Sequence, residues 1–441
     1  MTKRRHTDEE TDTPFAGYEH CVVRVLLLLL GFGLIMASDL AYYSTSQEMG
    51  SSYFVVIRKF LVAVIIGAFA ALLMRKASAK SLYNMGIMMM LVSIGLLIYT
   101  HTNGIEVYGA RRWVDIFGLR FQPVEPFKIA LAFGLATIFS RGFVEISPRA
   151  LAITRLFYLV SSMLGLVLIF LQPNHSAVIT IFIVVVMIAL LSWLKWQKIL
   201  PAVTLLSIAV SIMILRDPEK LQRIKAWLFL NYIAVLITFI IVLLIALFSW
   251  FKWKTALGIF LLLTIAVSVL IWQNPEKVQG IRDWLDAYRD KISLQDERFQ
   301  VNRSLEAMSI GRWTGNGVGK SIIKYSLPAA STDFVFAIVV EEFGFIGGII
   351  LLMCYLYLIN ITFSVTASEK DEFLRLSSLG VILFFTFNVV LHIAVNLGII
   401  PTTGVPLPFI SQGGSALMFH LMSMGLILNL AYRKDKSVSE E

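Results

Sequence analysis

The amino-acid sequence predicts an all-α polytopic membrane protein with about twelve transmembrane helices, and three observations carry that reading. Of its 441 residues, 57% are hydrophobic and only 15% charged, where a soluble domain would carry roughly a quarter. Apolar stretches long enough to span a bilayer recur from Cys21 to Tyr432, and mean hydropathy is +0.77. Alternate connections between these stretches carry Lys or Arg, as cytoplasmic loops do.

In chain order, residues 1–20 are polar and charged and read as a disordered cytoplasmic tail. Helices are predicted over 22–41, 55–74, 81–100, 125–140, 153–171, 175–192, 198–215, 230–250, 255–272, 334–360, 374–397 and 414–432. The first is too long for a signal-peptide core, and Ser38-Asp39-Leu40 is a poor cleavage site, so it is read as a retained helix. The connections from Arg75 to Lys80, Arg141 to Arg155, Lys195 to Lys198, Lys252 to Lys254, Lys370 to Arg375 and Arg433 to Lys436 then share the cytoplasmic side. Both termini fall on that side, with 433–441 a second tail. These loops account for the net charge of +9 without a nucleic-acid partner. Cys21 and Cys354 form neither a disulfide framework nor a zinc spacing.

Three outer segments remain, 101–124, 273–332 and 398–414, and they concentrate polar residues on one face of the membrane. The second is far longer than a connection requires, which marks it as functional. A tandem repeat precedes it: Ser192-Trp193-Leu194-Lys195-Trp196 returns as Ser249-Trp250-Phe251-Lys252-Trp253, and Asp217-Pro218-Glu219-Lys220 as Asn274-Pro275-Glu276-Lys277. The offset is a constant 57 residues, so 175–228 and 232–285 read as one duplicated helical hairpin. The 21–432 membrane domain is then a ten-helix core plus that extra hairpin.

Three motifs lie in or beside these outer segments. The first is Gly109-Ala110-Arg111-Arg112-Trp113, with Gln122-Pro123-Val124-Glu125 and Lys128. The second runs from Phe299-Gln300 and Ser304-Leu305 through Gly315-Asn316-Gly317-Val318-Gly319, Lys324 and Leu327-Pro328 to Thr332-Asp333-Phe334, then Glu341-Glu342-Phe343-Gly344. The third is Pro401 to Ser415, reading PTTGVPLPFISQGGS. Their order and spacing resemble the SEDS family (shape, elongation, division and sporulation proteins of the FtsW/RodA/SpoVE type), leaning to its division and sporulation branch. The resemblance implies a peptidoglycan glycosyltransferase in the bacterial cytoplasmic membrane, also at the division septum. It would polymerise lipid II with a monofunctional class B penicillin-binding protein and other divisome or elongasome proteins. It further implies Asp333 as the catalytic residue. Departures from the family pattern are Ala329 and Ser331, where Glu and His are usual, with Val124, Gln412 and Asn174.

The chemistry of glycan polymerisation asks for a base near an acceptor hydroxyl and cations near a lipid diphosphate. Asp333, where the long loop meets an apolar helix, suits the base; the bland alternative is a helix N-cap. Arg111, Arg112, Lys128 and Lys324 are candidate diphosphate ligands, with a divalent cation such as Mg or Mn as a candidate partner, against ordinary salt bridges. Glu125, Glu341, Glu342, Ser411 and Ser415 are further substrate-site candidates; a buried structural network is the alternative for the two adjacent glutamates. Gly315 to Ser321 is no phosphate loop, since Thr314 stands where the first glycine must be. Residues 404–415 read as an irregular, shielded loop. A flippase or transporter would place ionisable groups near the midplane in both halves, so it ranks second, ahead of a non-catalytic division scaffold.

Overall fold

A computed structural model describes residues 17–47, 53–107, 110–116, 119–140, 146–172, 174–193, 294–400 and 402–440. The chain divides into two compact units, Met1–Ala189 with Glu297–Glu441, and Leu190–Asp296; the described residues belong almost wholly to the first. The predicted helices at 198–215, 230–250 and 255–272, and most of the repeat, lie outside them.

Every predicted helix within the described residues is present: α1 (Tyr18–Gln47), α2 (Tyr53–Lys76), α3 (Ala79–Asn103), α4 (Val124–Phe139), α5 (Pro148–Leu171) and α6 (His175–Trp193). After α7 (Leu294–Gly311) come α8 (Val335–Ser368), α9 (Glu372–Asn396) and α10 (Gly414–Glu440). Side-chain caps start three of them: Ser78 for α3, Ser147 for α5 and Asp371 for α9. Among the described residues, seven helices are long and apolar enough to cross a membrane. α4 is not one of them: its 16 residues rise only about 24 Å. It is buried from Val124 to Thr137 and packs against α3, α5 and α9, forming the centre of the bundle.

α10 packs along α2, where a Cβ on Gly425 would lie 2.4 Å from Ala71 O. Only glycine allows that approach, the small-residue contact expected of helices in lipid. At one end of this pair, Asn429 Nδ2 donates to the carbonyls of Met74, Arg75 and Ala77, satisfying the exposed end of α2. Arg75 pairs with Glu19 there, and Glu19 N donates to Asp435 Oδ2. Residues that the charge rule assigns to one side thus meet in space at one end.

Two features correct the all-α expectation and the picture of bare outer loops. Between α3 and α4 the chain forms a three-stranded antiparallel sheet, β1 (Ile105–Val107), β2 (Ala110–Ile116) and β3 (Leu119–Phe121). Its strands are too short to register in a membrane-length hydropathy reading, yet β2 alternates: Val114 is buried, while Arg111 and Asp115 are exposed. The large outer loop carries α7, a polar helix that apolar periodicity does not report.

α8 is broken at Gly344 (φ 72°). In an unbroken helix Phe345 N would bond Glu341 O, and Ile346 N would bond Glu342 O. Instead Phe345 N donates to Arg312 O (2.8 Å) and Ile346 N to Trp313 O (3.2 Å). The released carbonyls of Glu341 and Glu342 accept from Asn316 N (3.0 Å) and Gly317 N (2.9 Å). The loop therefore replaces two helical hydrogen bonds with four, so these four backbone groups stay paired at the break. A Cβ on Gly344 would lie 2.2 Å from Trp313 O, in a backbone conformation L residues rarely adopt. Gly344→Ala is expected to lower the thermal midpoint of the detergent-solubilised protein by several degrees, since backbone strain alone costs about 1–3 kcal/mol. Fluorescence-detected size exclusion after heating measures it.

Candidate functional site

Asp333 sits at the end of a turn that begins at Ala329, whose backbone is left-handed (φ 55°) and whose carbonyl accepts from the amides of Thr332, Asp333 and Phe334. The carbonyls of residues 331 to 333 are each held from outside the turn. Gln412 N donates to Ser331 O (2.9 Å), Ser411 Oγ to Thr332 O (2.7 Å) and Asn396 Nδ2 to Asp333 O (3.0 Å). Residues 402–413 form the irregular loop expected from their composition, with Leu407 to Ser411 buried. Ser411 Oγ also accepts from Leu407 N, and His392 Nδ1 bonds Val405 O (2.8 Å), so the loop is pinned on both sides.

The carboxyl of Asp333 is not the cap of α8, whose N-cap position, Phe334, makes no side-chain cap bond. It faces Gly404, where a Cβ would come within 3.8 Å of Oδ2. Burial pushes its pKa up to about 6, against the opposing pull of the Thr332 hydroxyl and the Arg112 charge. Arg112 lies on β2, half-buried, and its Nε donates to Gln172 O (3.4 Å). Burial lowers its pKa, and the Asp333 carboxylate works against that lowering. Arg111, one residue earlier, lies beside the irregularity where β2 shifts register against β1. It is exposed and reaches Glu106 (3.4 Å) and Thr102 O (3.5 Å). The two arginines are therefore separated, and only Arg112 accompanies Asp333.

Lys324, Glu341 and Glu342 form a second, buried group. Lys324 Nζ contacts Asp39 Oδ1 at 2.5 Å, Glu342 Oε1 at 3.3 Å and Gly319 O at 3.1 Å. Burial works to lower the Lys324 pKa, but hydrogen bonding and charge from Asp39, then Glu342, outweigh it and leave it raised. Glu341 accepts from Ser321 Oγ, Ile322 N and Ile323 N. Together these contacts fasten the 312–324 loop to α1 and α8. Asp39, a carboxylate near the end of an apolar helix, carries a sequence signal that site reasoning left unused.

A third group lies in the core. Lys128 and Glu125 pair at 2.8 Å on α4, both almost fully buried, beside a cavity of about 20 Å³ also lined by Asn388, His420 and Ser423. That volume suffices for one water. Ser415 Oγ accepts from Gln122 N (3.2 Å), tying the start of α10 to the end of the sheet. Among the described residues no three of His, Cys, Asp and Glu come together as a metal-binding group.

The family model for FtsW/RodA/SpoVE cell cycle proteins matches residues 19–232 and 230–436. The two matched stretches meet between the two copies of the repeat. A probable peptidoglycan glycosyltransferase FtsW of Neisseria gonorrhoeae (strain NCCP11945) is 28% identical over 94% of this chain and 84% of its own. The stage V sporulation protein E of Bacillus subtilis (strain 168) is 35% identical over 37% of this chain and 44% of its own. Among solved structures, a chain of a peptidoglycan synthase complex has a TM-score of 0.57 at 22% identity, covering 94% of this chain and 97% of that one. Thermus thermophilus RodA has a TM-score of 0.54 at 20% identity, covering 95% and 98%. At these identities the likeness is one of fold.

Proposed function

The chain belongs to the FtsW/RodA/SpoVE family of cell cycle proteins, and from that footing we propose that Asp333 is the general base of a peptidoglycan glycosyltransferase. The observation that carries the proposal is a carboxyl with a pKa of about 6 that caps no helix and has Arg112 beside it.

In the proposed reaction Asp333 takes the proton from an acceptor hydroxyl of one lipid II. The freed oxygen attacks the anomeric carbon of the growing strand from the face opposite its diphosphate. The new glycosidic bond forms as the carbon–phosphate-oxygen bond breaks, inverting that centre, and the lipid diphosphate leaves with the electron pair. Arg112 is the cation placed to meet that charge. Lys128 and Lys324 neutralise buried carboxylates instead, and Arg111 is exposed and pairs with Glu106, which narrows the four cationic candidates to one. Glu125, Glu341, Glu342, Ser411 and Ser415 then hold the walls of the site rather than the substrate.

Around this core we infer twelve crossings, counting α4 as a short one shielded by its neighbours, with both termini at the cytoplasmic face and Asp333 at the outer face of a bacterial cytoplasmic membrane. A class B penicillin-binding protein and the wider divisome are the partners this reading assigns; the peptidoglycan synthase complex among its structural neighbours supports it.

Purified protein supplied with labelled lipid II, with and without that partner, tests the reading by the length of glycan formed. Below about pH 6 the base is protonated, so the rate should fall on an acid limb with its midpoint near 6. Arg112 lowers the Asp333 pKa, so Arg112→Gln should move that midpoint upward as well as slow turnover. A rate independent of pH between 5 and 8, or no product in any condition, would remove Asp333 from the role. The same raised pKa makes the ionised carboxylate a cost to folding: the group's contribution to stability is fully present below the unfolded value of 3.8 and is lost as pH rises through about 6.

A further inference from the structure

We propose that Asn396 is the positioning residue for the base, keeping Asp333 out of α8; this rests on the reading of Asp333 just given. Asn396 is fully buried at the last residue of α9. Its Nδ2 donates to Asp333 O (3.0 Å), and its Oδ1 accepts from Ala337 N (3.0 Å). Those two backbone groups are four residues apart. In a helix begun one residue earlier they would bond to each other. The side-chain amide stands between them, taking the place of that bond, and Ala337 N turns also to Phe334 O (3.1 Å). Nδ2 makes a second bond to His392 O (2.8 Å), and the Asn396 carbonyl accepts from Ser304 Oγ (2.9 Å), so the amide is itself fixed.

The consequence follows from helix physics. If the Ala337 N to Asp333 O bond closed, α8 would start one residue earlier, with Asp333 as its N-cap. Asp333 would then enter the region where an aspartate side chain accepts from the first helical amides. A carboxylate so engaged is stabilised as the anion and is a poor base. Only a side chain with a donor and an acceptor on one short plane can hold both backbone groups apart, and an amide has that shape. Asn396 need not touch substrate to act.

The test replaces the amide without adding charge. Asn396→Ala and the nearly isosteric Asn396→Leu are compared with the wild type for kcat, KM for lipid II and the acid limb of the pH profile. The expected result is a kcat reduced at least about tenfold with KM little changed. The midpoint should move from about 6 toward the ordinary carboxylate range. A merely structural role would lower thermal stability without moving that midpoint. Wild-type kcat in either folded variant, or reduced kcat with the midpoint still near 6, would overturn the proposal. Where alanine does not fold, leucine fills the volume; failure of both to give folded protein assigns Asn396 to stability and also overturns it. A wild-type enzyme with no limb near 6 would instead refute the base itself, so the two failures are distinguishable.

Discussion

Asp333→Asn is expected to cut glycan synthesis at least about a hundredfold, within the range a lost general base imposes, while expression and membrane insertion stay normal. The separation from a structural effect is sharp because the bonds that hold the turn go to backbone carbonyls of residues 331–333, which asparagine retains. The side chain caps no helix, so the cost of about 1 kcal/mol that attends a lost cap does not arise. Asparagine keeps the size of the group and loses only its capacity to take a proton. Binding to the penicillin-binding partner should survive. Near-normal polymerisation by this variant would return Asp333 to a structural residue and remove the mechanism built on it.

Lys324→Met should produce the largest loss of stability among single substitutions in the outer loop. Its ammonium is 1% exposed and stands between the buried carboxylates of Asp39 and Glu342. Removing it leaves two uncompensated acids in the protein interior, and breaking such a buried pair typically costs about 3–5 kcal/mol. The protein should unfold at markedly lower temperature in detergent. The double variant Lys324→Met with Asp39→Asn should recover part of the loss, because one of the stranded charges is gone. A stable Lys324→Met protein whose only defect is weakened lipid II binding would restore this lysine to the diphosphate site.

The helices were legible because hydropathy and the charge of their connections are local properties. Predicted and observed ends of α2 to α6 and α9 agree to within about five residues. Asp333 was legible through its motif, since a carboxylate where a long polar loop meets an apolar helix is conspicuous in one dimension. What escaped depends on residues distant in sequence. The break in α8 is made by backbone groups some thirty residues upstream, and no periodicity within α8 itself announces it. The separation of Arg111 from Arg112 required knowing that they sit on a strand. Lys324 looks like a free cation until Asp39, 285 residues away, is brought beside it. Asn396 looks like one more polar residue at the end of a helix until its amide is seen between two groups of another.

The exchange of hydrogen bonds at Gly344 also bears on biogenesis. From Phe345 to Ser368 the helix rises about 36 Å, enough by itself for a hydrocarbon core of about 30 Å. The insertion machinery can therefore commit this segment to the bilayer without Glu341 and Glu342. On translocon scales an ionisable residue at the middle of an inserting helix costs about 3 kcal/mol. Residues 312–317 leave the ribosome before residues 341–346, so the loop that will receive the broken turn is already made when that turn arrives. The two glutamates then enter a polar setting built of protein and never have to be dissolved in lipid.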